Sequence, residues 1–199
     1  MLHLRNFLAA FAALALTACG INSVPTAEEN AKARWADVQA AFQERANLIP
    51  NLAAVAKGAA EQEKAILTGV IEARAKATSI QLSADDLTDP AKMAQFSAAQ
   101  EQLSQSLAGF GRLLANFERY PELKSITNYQ MLQSQLEGQE NRVRISVRDY
   151  NQAVQQYNTT IRTFPDAIGA KLFYGAKPMT PYQAATPGAQ VAPSLEGKL

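Results

Sequence analysis

A seven-residue lattice of apolar positions, running through three long stretches with few turn signals, limits what this chain can fold into. In the first stretch one row reads Trp35, Phe42, Ile49, Ala56, Glu63, Val70, and its companion reads Val38, Arg45, Leu52, Ala59, Ile66, Ala73. The second stretch carries Phe96, Leu103, Phe110, Phe117 beside Met93, Gln100, Leu107, Leu114. The third carries Tyr129, Leu136, Val143, Tyr150, Tyr157, Phe164 beside Ile126, Gln133, Glu140, Val147, Val154, Ile161. Alternating steps of three and four keep such rows on one face of an α-helix, and an apolar face must be covered by other helices. The remaining positions are rich in Ala, Gln, Glu and Leu, which favour helix. The expected fold is all-α: an elongated, antiparallel, up-and-down bundle of three long helices joined by short connections.

The punctuation fits this reading. Thr26 is placed to cap the first helix, with Glu28 and Glu29 in its first turn, where the helix dipole favours negative charge. Pro50 falls inside the first lattice; proline removes a backbone donor and clashes with the preceding turn, so the first helix should be kinked or split there. The rows continue in phase beyond Pro50, which favours a kink. Glu28 to Ser79 would then span on the order of 80 Å if straight. Ser83 to Pro90 reads as a loop in which Asp89 caps the next helix and Pro90 takes its first position. Pro121 should force a tight turn, and Phe164-Pro165 should end the third stretch, with a short helix following through Leu172.

The ends differ in composition. Arg5 precedes ten apolar residues, Phe7 to Leu16, and then Leu16-Thr17-Ala18-Cys19. A charged start, a short apolar run and small residues before a cut site describe a secretory signal, and the run is shorter than the roughly 20 residues that span a bilayer. The string LTAC resembles the bacterial lipobox, which implies cleavage before Cys19 and a diacylglycerol thioether on its sulfur. Cys19 is the single cysteine, so it has no disulfide partner within the chain, and acylation would remove a thiol that is a liability in an oxidising compartment. Gly20 follows it, where aspartate is the usual inner-membrane retention signal of enteric bacteria. The expected location is therefore the cell envelope, on the periplasmic face of the outer membrane in a two-membrane host. Residues 175–199 contain Pro178, Pro181, Pro187 and Pro193 and read as a disordered tail. The expected division is a signal peptide at 1–18, a lipid-anchored linker at 19–26, a helical bundle at 27–174 and the tail at 175–199.

Composition excludes several activities. Removing residues 1–18 takes Arg5 from the 19 basic residues and leaves 18 against 18 acidic ones. A neutral chain gives no reason to expect nucleic acid. The single histidine, His3, leaves with the signal, which excludes serine–histidine and cysteine–histidine catalysis. A zinc site would need carboxylates alone, an unusual set, and no glycine-rich phosphate loop is present; neither metal nor cofactor is expected. Asp85-Asp86 reads as a solvated pair beside a helix cap rather than an acid–base pair. The repeat Tyr150-Asn151 and Tyr157-Asn158 sets two tyrosines on one helical face, either as core with bonded hydroxyls or as an aromatic-and-amide strip for a partner. Arg45, Glu63 and Glu140 stand on apolar rows, where polar groups fix helix register at some cost or mark a groove. Arg45 and Glu63, about 27 Å apart on one straight helix, would each need a partner on a neighbouring helix.

Several strings occur together in one order: Arg45, then Leu48-Ile49-Pro50-Asn51-Leu52, Lys57-Gly58, Glu63, Ala73-Arg74, Tyr120-Pro121-Glu122-Leu123-Lys124, Leu132-Gln133, Gln135-Leu136, Glu140, and the run from Arg148 to Ile168. In these the chain resembles the LemA family over about residues 27–175, with Gln62 where many relatives carry histidine, and a lipobox where many carry a transmembrane helix. The resemblance implies a four-helix up-and-down bundle and adds Asn51 to the candidate residues, but implies no established activity. The family's frequent gene neighbourhood with membrane metalloproteases suggests a non-enzymatic scaffold or adaptor for another envelope protein, possible as an oligomer. The alternative is an enzyme or carrier using carboxylate, lysine or tyrosine side chains on the bundle surface.

Overall fold

A computed structural model describes residues 22–56, 64–115 and 127–184. Four long helices make up the body: α1 (Ser23–Ala56), α2 (Lys64–Ser79), α3 (Pro90–Ala115) and α4 (Thr127–Thr160). A 3₁₀ turn at Asp85–Thr88 precedes α3; a short α5 (Asp166–Gly169) and a π-helical turn (Ala170–Tyr174) follow α4. No strand occurs among the described residues, and no described helix is long and apolar enough to cross a membrane.

The side-chain pairs give the helix directions. Arg74 on α2 reaches Ala46, while Leu82, beyond α2, meets Trp35 and Gln39, so α2 runs back along α1. On α3, Phe96 packs on Trp35 and Gln100 meets Arg45, so α3 runs with α1. On α4, Arg142 pairs with Glu44 and Tyr150 packs on Trp35, so α4 runs against α1. The first stretch is therefore not one kinked rod: the chain reverses between Ala56 and Lys64. The break is not at Pro50, through which α1 continues to Ala56. Seven residues, 57–63, separate the two helices, and one heptad leaves the phase of a seven-residue lattice unchanged. Phase alone therefore does not distinguish a hairpin from a continuous helix.

How α1 tolerates Pro50 follows from backbone bookkeeping. Proline has no N–H, so the carbonyl four residues earlier, Ala46 O, loses its intrahelical donor. Arg74 Nε on α2 donates to that same carbonyl at 2.8 Å. Ala46 is buried, so water would not easily replace this bond.

Within each helix the rows face inward. Trp35, Val38, Phe42, Arg45, Ile49 and Leu52 are buried, as are Val70, Ala73, Met93, Phe96, Gln100, Leu103, Leu107, Phe110, Val143, Tyr150, Val154 and Tyr157. Phe164 is the exception at 82% exposed, because α4 ends at Thr160 and the row ends with it. The core forms two clusters: an aromatic one around Trp35, Phe42, Phe96 and Tyr150, and an aliphatic one around Ile49, Leu52, Leu103 and Phe110.

Asp89 caps α3 as expected, its Oδ1 accepting from the N–H of Ala91 at 2.9 Å and of Lys92 at 3.3 Å. Thr26 does not cap α1: the helix begins at Ser23, and Thr26 Oγ1 donates back to Asn22 O at 2.7 Å. Glu28 and Glu29 pair with Lys32 instead, at 2.8 and 2.9 Å. Helix α1 therefore begins inside the stretch 19–26 expected as a linker, and Val24 is already buried. The turn at Pro121, and the side chains of Phe117, Leu114, Ile126, Tyr129 and Gln133, lie outside the described residues.

The Pro50–Arg74 relation is testable by a double-mutant cycle. Arg74→Leu should cost about 1–3 kcal/mol by leaving a buried carbonyl unpaired. In a Pro50→Ala background, where residue 50 regains its N–H, the cost should fall by about 1 kcal/mol or more. Urea unfolding of the four proteins measures the coupling; equal costs in both backgrounds would refute the account.

Candidate functional site

Arg45 sits at the meeting point of all four helices, 1% exposed. Its Nη1 donates to Ser104 Oγ at 2.8 Å and to Glu140 Oε1 at 3.0 Å, and its Nη2 donates to Gln100 O at 3.3 Å and Gln100 Oε1 at 2.9 Å. Gln100 Nε2 in turn donates to Ala77 O on α2 at 3.2 Å. The guanidinium lies 5.0 Å from the Phe42 ring centroid, a cation–π contact. Nε is buried without a protein acceptor. The ion pair is asymmetric: Arg45 is sealed, whereas the Glu140 side chain is 42% exposed and keeps part of its hydration.

Beside this arginine a groove of about 800 Å³ opens between α3 and α4. Helix α4 packs mainly on α1 and α2 on α3, so α3 and α4 face each other across open space. On the α3 wall, Ser104, Ala108 and Gly111 present small side chains at helical spacing, and a Cβ added at Gly111 would meet nothing within 4 Å. The floor is apolar, with Phe42, Leu52, Leu107 and Val143, and the carboxylates of Glu101, Glu137 and Glu140 stand around it. Tyr182 and Ala184 border it as well.

The residues that reach that border overturn part of the sequence reading. Residues 175–184 are not a loose tail. They cross the bundle as an extended strap held by the Tyr-Asn repeat. Asn158 matches Met179 at two points, Nδ2 donating to Met179 O and Met179 N–H to Oδ1, both at 2.8 Å. Asn151 matches Tyr182 in the same way at 2.9 and 2.8 Å. Tyr150 Oη donates to Thr180 O at 2.9 Å and Tyr157 Oη to Lys177 O at 3.1 Å. The spacing works because seven residues of helix advance about 10.5 Å, and three extended residues cover about 10 Å. Pro178 and Pro181 fall where no donor is required, while the N–H of Thr180 is taken by Leu87 O at 2.8 Å. Met179 and Tyr182 bury their side chains in the aromatic cluster.

The remaining candidates lie elsewhere. Asn51 is exposed on α1. Glu63 and Cys19 lie outside the described residues, and the distance reckoned between Arg45 and Glu63 assumed a straight helix that the reversal removes. Asp85 and Asp86 lie on the 3₁₀ turn, where Asp86 accepts from Ser83 and pairs with Lys92; those partners lower its pKa to about 2. Sequence reasoning did not single out Gln100, Ser104 or Tyr182. An amide alone on an apolar row was the available signal for Gln100, and Met179 and Tyr182, three apart opposite asparagines seven apart, was the signal for the strap.

These features define an all-helical protein whose long helices are tied by a buried arginine and crossed by an extended C-terminal segment. The LemA family model matches residues 34–196, and the chain belongs to the LemA family. No curated protein matches it.

The strap predicts both a mutational and a pH effect. Asn158→Ala should accelerate hydrogen exchange at the Met179 amide and cost about 1–3 kcal/mol. Burial pushes the phenol of Tyr182 up to about 12 and raises those of Tyr150 and Tyr157. Phenols raised above their usual value near 10 contribute stability below that pH and lose it as pH rises through the raised values. The strap should therefore stay closed to about pH 10 and release above it, together with tyrosinate absorbance. Full ionisation of all tyrosines near pH 10 with the amides still protected would contradict the burial.

Proposed function

We propose that this chain is a lipid-anchored, non-enzymatic adaptor of the cell envelope, whose groove between α3 and α4 receives a segment of another envelope protein, a membrane metalloprotease being one candidate. The groove carries this reading. Protein interiors are close-packed, whereas about 800 Å³ left open beside the core falls within the range of pockets that take ligands. Its apolar floor, formed by Phe42, Leu52, Leu107 and Val143, suits apolar side chains of an incoming segment. The tether would be the thioether on Cys19, placing the protein in the periplasm on the outer membrane of a two-membrane host.

Several side chains that an enzymatic alternative would call on are committed elsewhere. The hydroxyls of Tyr150 and Tyr157 donate to strap carbonyls, and burial raises both above their usual pKa, away from nucleophilic phenolate. Lys32 and Lys92 are ion-paired and raised as well, by Glu28 and by Asp86 respectively, the opposite of an activated amine. Asp86 is held ionised rather than tuned toward a general acid.

The test places a photo-crosslinking amino acid at Ala108 or Gly111 in the full chain expressed in a native host. A protein adduct from these positions, absent from Glu72 on α2 and lost when Ala108→Trp fills the groove, is the expected result. Adducts with a small molecule alone would replace the adaptor by a carrier. In the same cells a palmitate analogue should label wild type and not Cys19→Ser; an unlabelled wild type would remove the tether.

A further inference from the structure

The end of the bundle where α1 begins carries an apolar surface that the groove does not explain. Residues 164–174 fold there as a compact knuckle, fastened to the start of α1 by Ser23 Oγ donating to Asp166. Gly169 and Ala170 face inward and are buried. Facing outward, Phe164, Ile168, Leu172 and Phe173 are 82%, 46%, 72% and 68% exposed. Ile168 and Leu172, four residues apart, fall within the helical turns of the knuckle, with Phe164 just before those turns and Phe173 next to Leu172. The other exposed large hydrophobics among the described residues, Ile71, Met131 and Ile145, stand singly on longer helices, apart from neighbouring Tyr174. Single exposed apolar residues are ordinary, but a contiguous patch marks a contact surface.

Two observations select the occupant. Between 161 and 177 the chain carries Arg162, Lys171 and Lys177 against Asp166 alone; the three cations are exposed and Asp166 is engaged with Ser23, but Lys177 borders Glu28 and Asp85, which leaves Arg162 and Lys171 as the cations of the patch. An apolar patch with basic neighbours matches an anionic phospholipid surface. Chain connectivity adds the second. Cys19 is three residues before Asn22, so its sulfur is tied within about 11 Å of chain from the pole on which the patch lies.

We propose that this knuckle is a bilayer-docking surface: Phe164, Leu172 and Phe173 enter the interface of the membrane that holds the lipid on Cys19, while Arg162 and Lys171 meet phosphate headgroups. The proposal rests on the tether reading given above. It fixes the posture of the molecule. With the start of α1 against the lipid, Phe42 and Leu52, which border the groove, stand about 30 and 45 Å along the helix from that surface. A partner would then be met well above the bilayer rather than within it.

The experiment uses the full lipoprotein, purified from a native host and reconstituted in vesicles of phosphatidylcholine and phosphatidylglycerol. A polarity-sensitive fluorophore is attached to Phe173→Cys or, as control, Ile145→Cys; with Cys19 acylated these are the only free thiols. The label at 173 should shift to the blue and lose at least half its emission when the acyl chains are brominated, and the label at 145 should do neither. Adding Phe164→Ser and Leu172→Ser should abolish the quenching without lowering Tm, since both side chains are exposed. If 173 behaves like 145 while mass spectrometry finds the lipid on Cys19, the docking surface is refuted and the tether stands. Quenching at 173 in protein lacking that lipid would support the surface and remove the tether. A blue shift without bromine quenching would mean that protein covers the patch, and would overturn the proposal.

Discussion

The rest of the bundle depends on one buried cation. Arg45 comes from α1, bonds Gln100 and Ser104 on α3 and Glu140 on α4, and through Gln100 reaches the backbone of α2 at Ala77. A lone guanidinium in an apolar interior would be prohibitively costly. Four hydrogen bonds and the face of Phe42 make it tolerable only when all four helices are in one register. Such a group adds little net stability compared with a well-packed apolar residue. Its effect is on specificity: sliding a helix by one turn would bury the charge without its partners. Along α1 it falls between Phe42 of the aromatic cluster and Ile49 of the aliphatic one, so it joins two cores that could otherwise slip independently.

Arg74 performs a related task. Pro50 breaks the backbone ladder of α1 at Ala46, and an arginine from α2 restores the missing donor. Both residues stand in strings by which the chain resembles its family, and their pairing gives a physical reason for the two to occur together: proline in α1 is tolerated because α2 folds back beside it. A continuous first helix would carry Arg74 about 42 Å from Ala46, so the bond requires the hairpin.

What was legible in the sequence followed from periodicity. The inward rows of α1, α3 and α4 could be read because a helix buried on one side must repeat its apolar residues every three to four positions, and Asp89-Pro90 could be read because capping is local chemistry. The hairpin between α1 and α2 was not legible, since its seven residues preserve phase. The strap was not legible from composition: a proline-rich segment is usually too polar to pack. Here two large side chains, Met179 and Tyr182, are enough, because helix α4 supplies the backbone partners that an extended segment ordinarily finds in a sheet. Arg45 and Glu140 were both visible as polar residues on apolar rows, but that they meet, and that Gln100 and Ser104 complete the site, depends on the directions of helices that no local pattern encodes.

The groove follows from the same economy. Arg45 and the aromatic cluster hold α4 to α1, and the aliphatic cluster holds α2 to α3, while small residues on α3 leave nothing bulky to draw α4 across. A bundle evolving for stability alone would fill that space, since each buried methylene contributes about 0.8 kcal/mol. Leaving it open beside a charge that already fixes the register separates the two tasks of the fold. Arg45 and its partners keep the helices in place whether or not the groove is occupied, so an incoming segment need not organise the site it enters. Preorganisation of that kind lowers the ordering cost of binding.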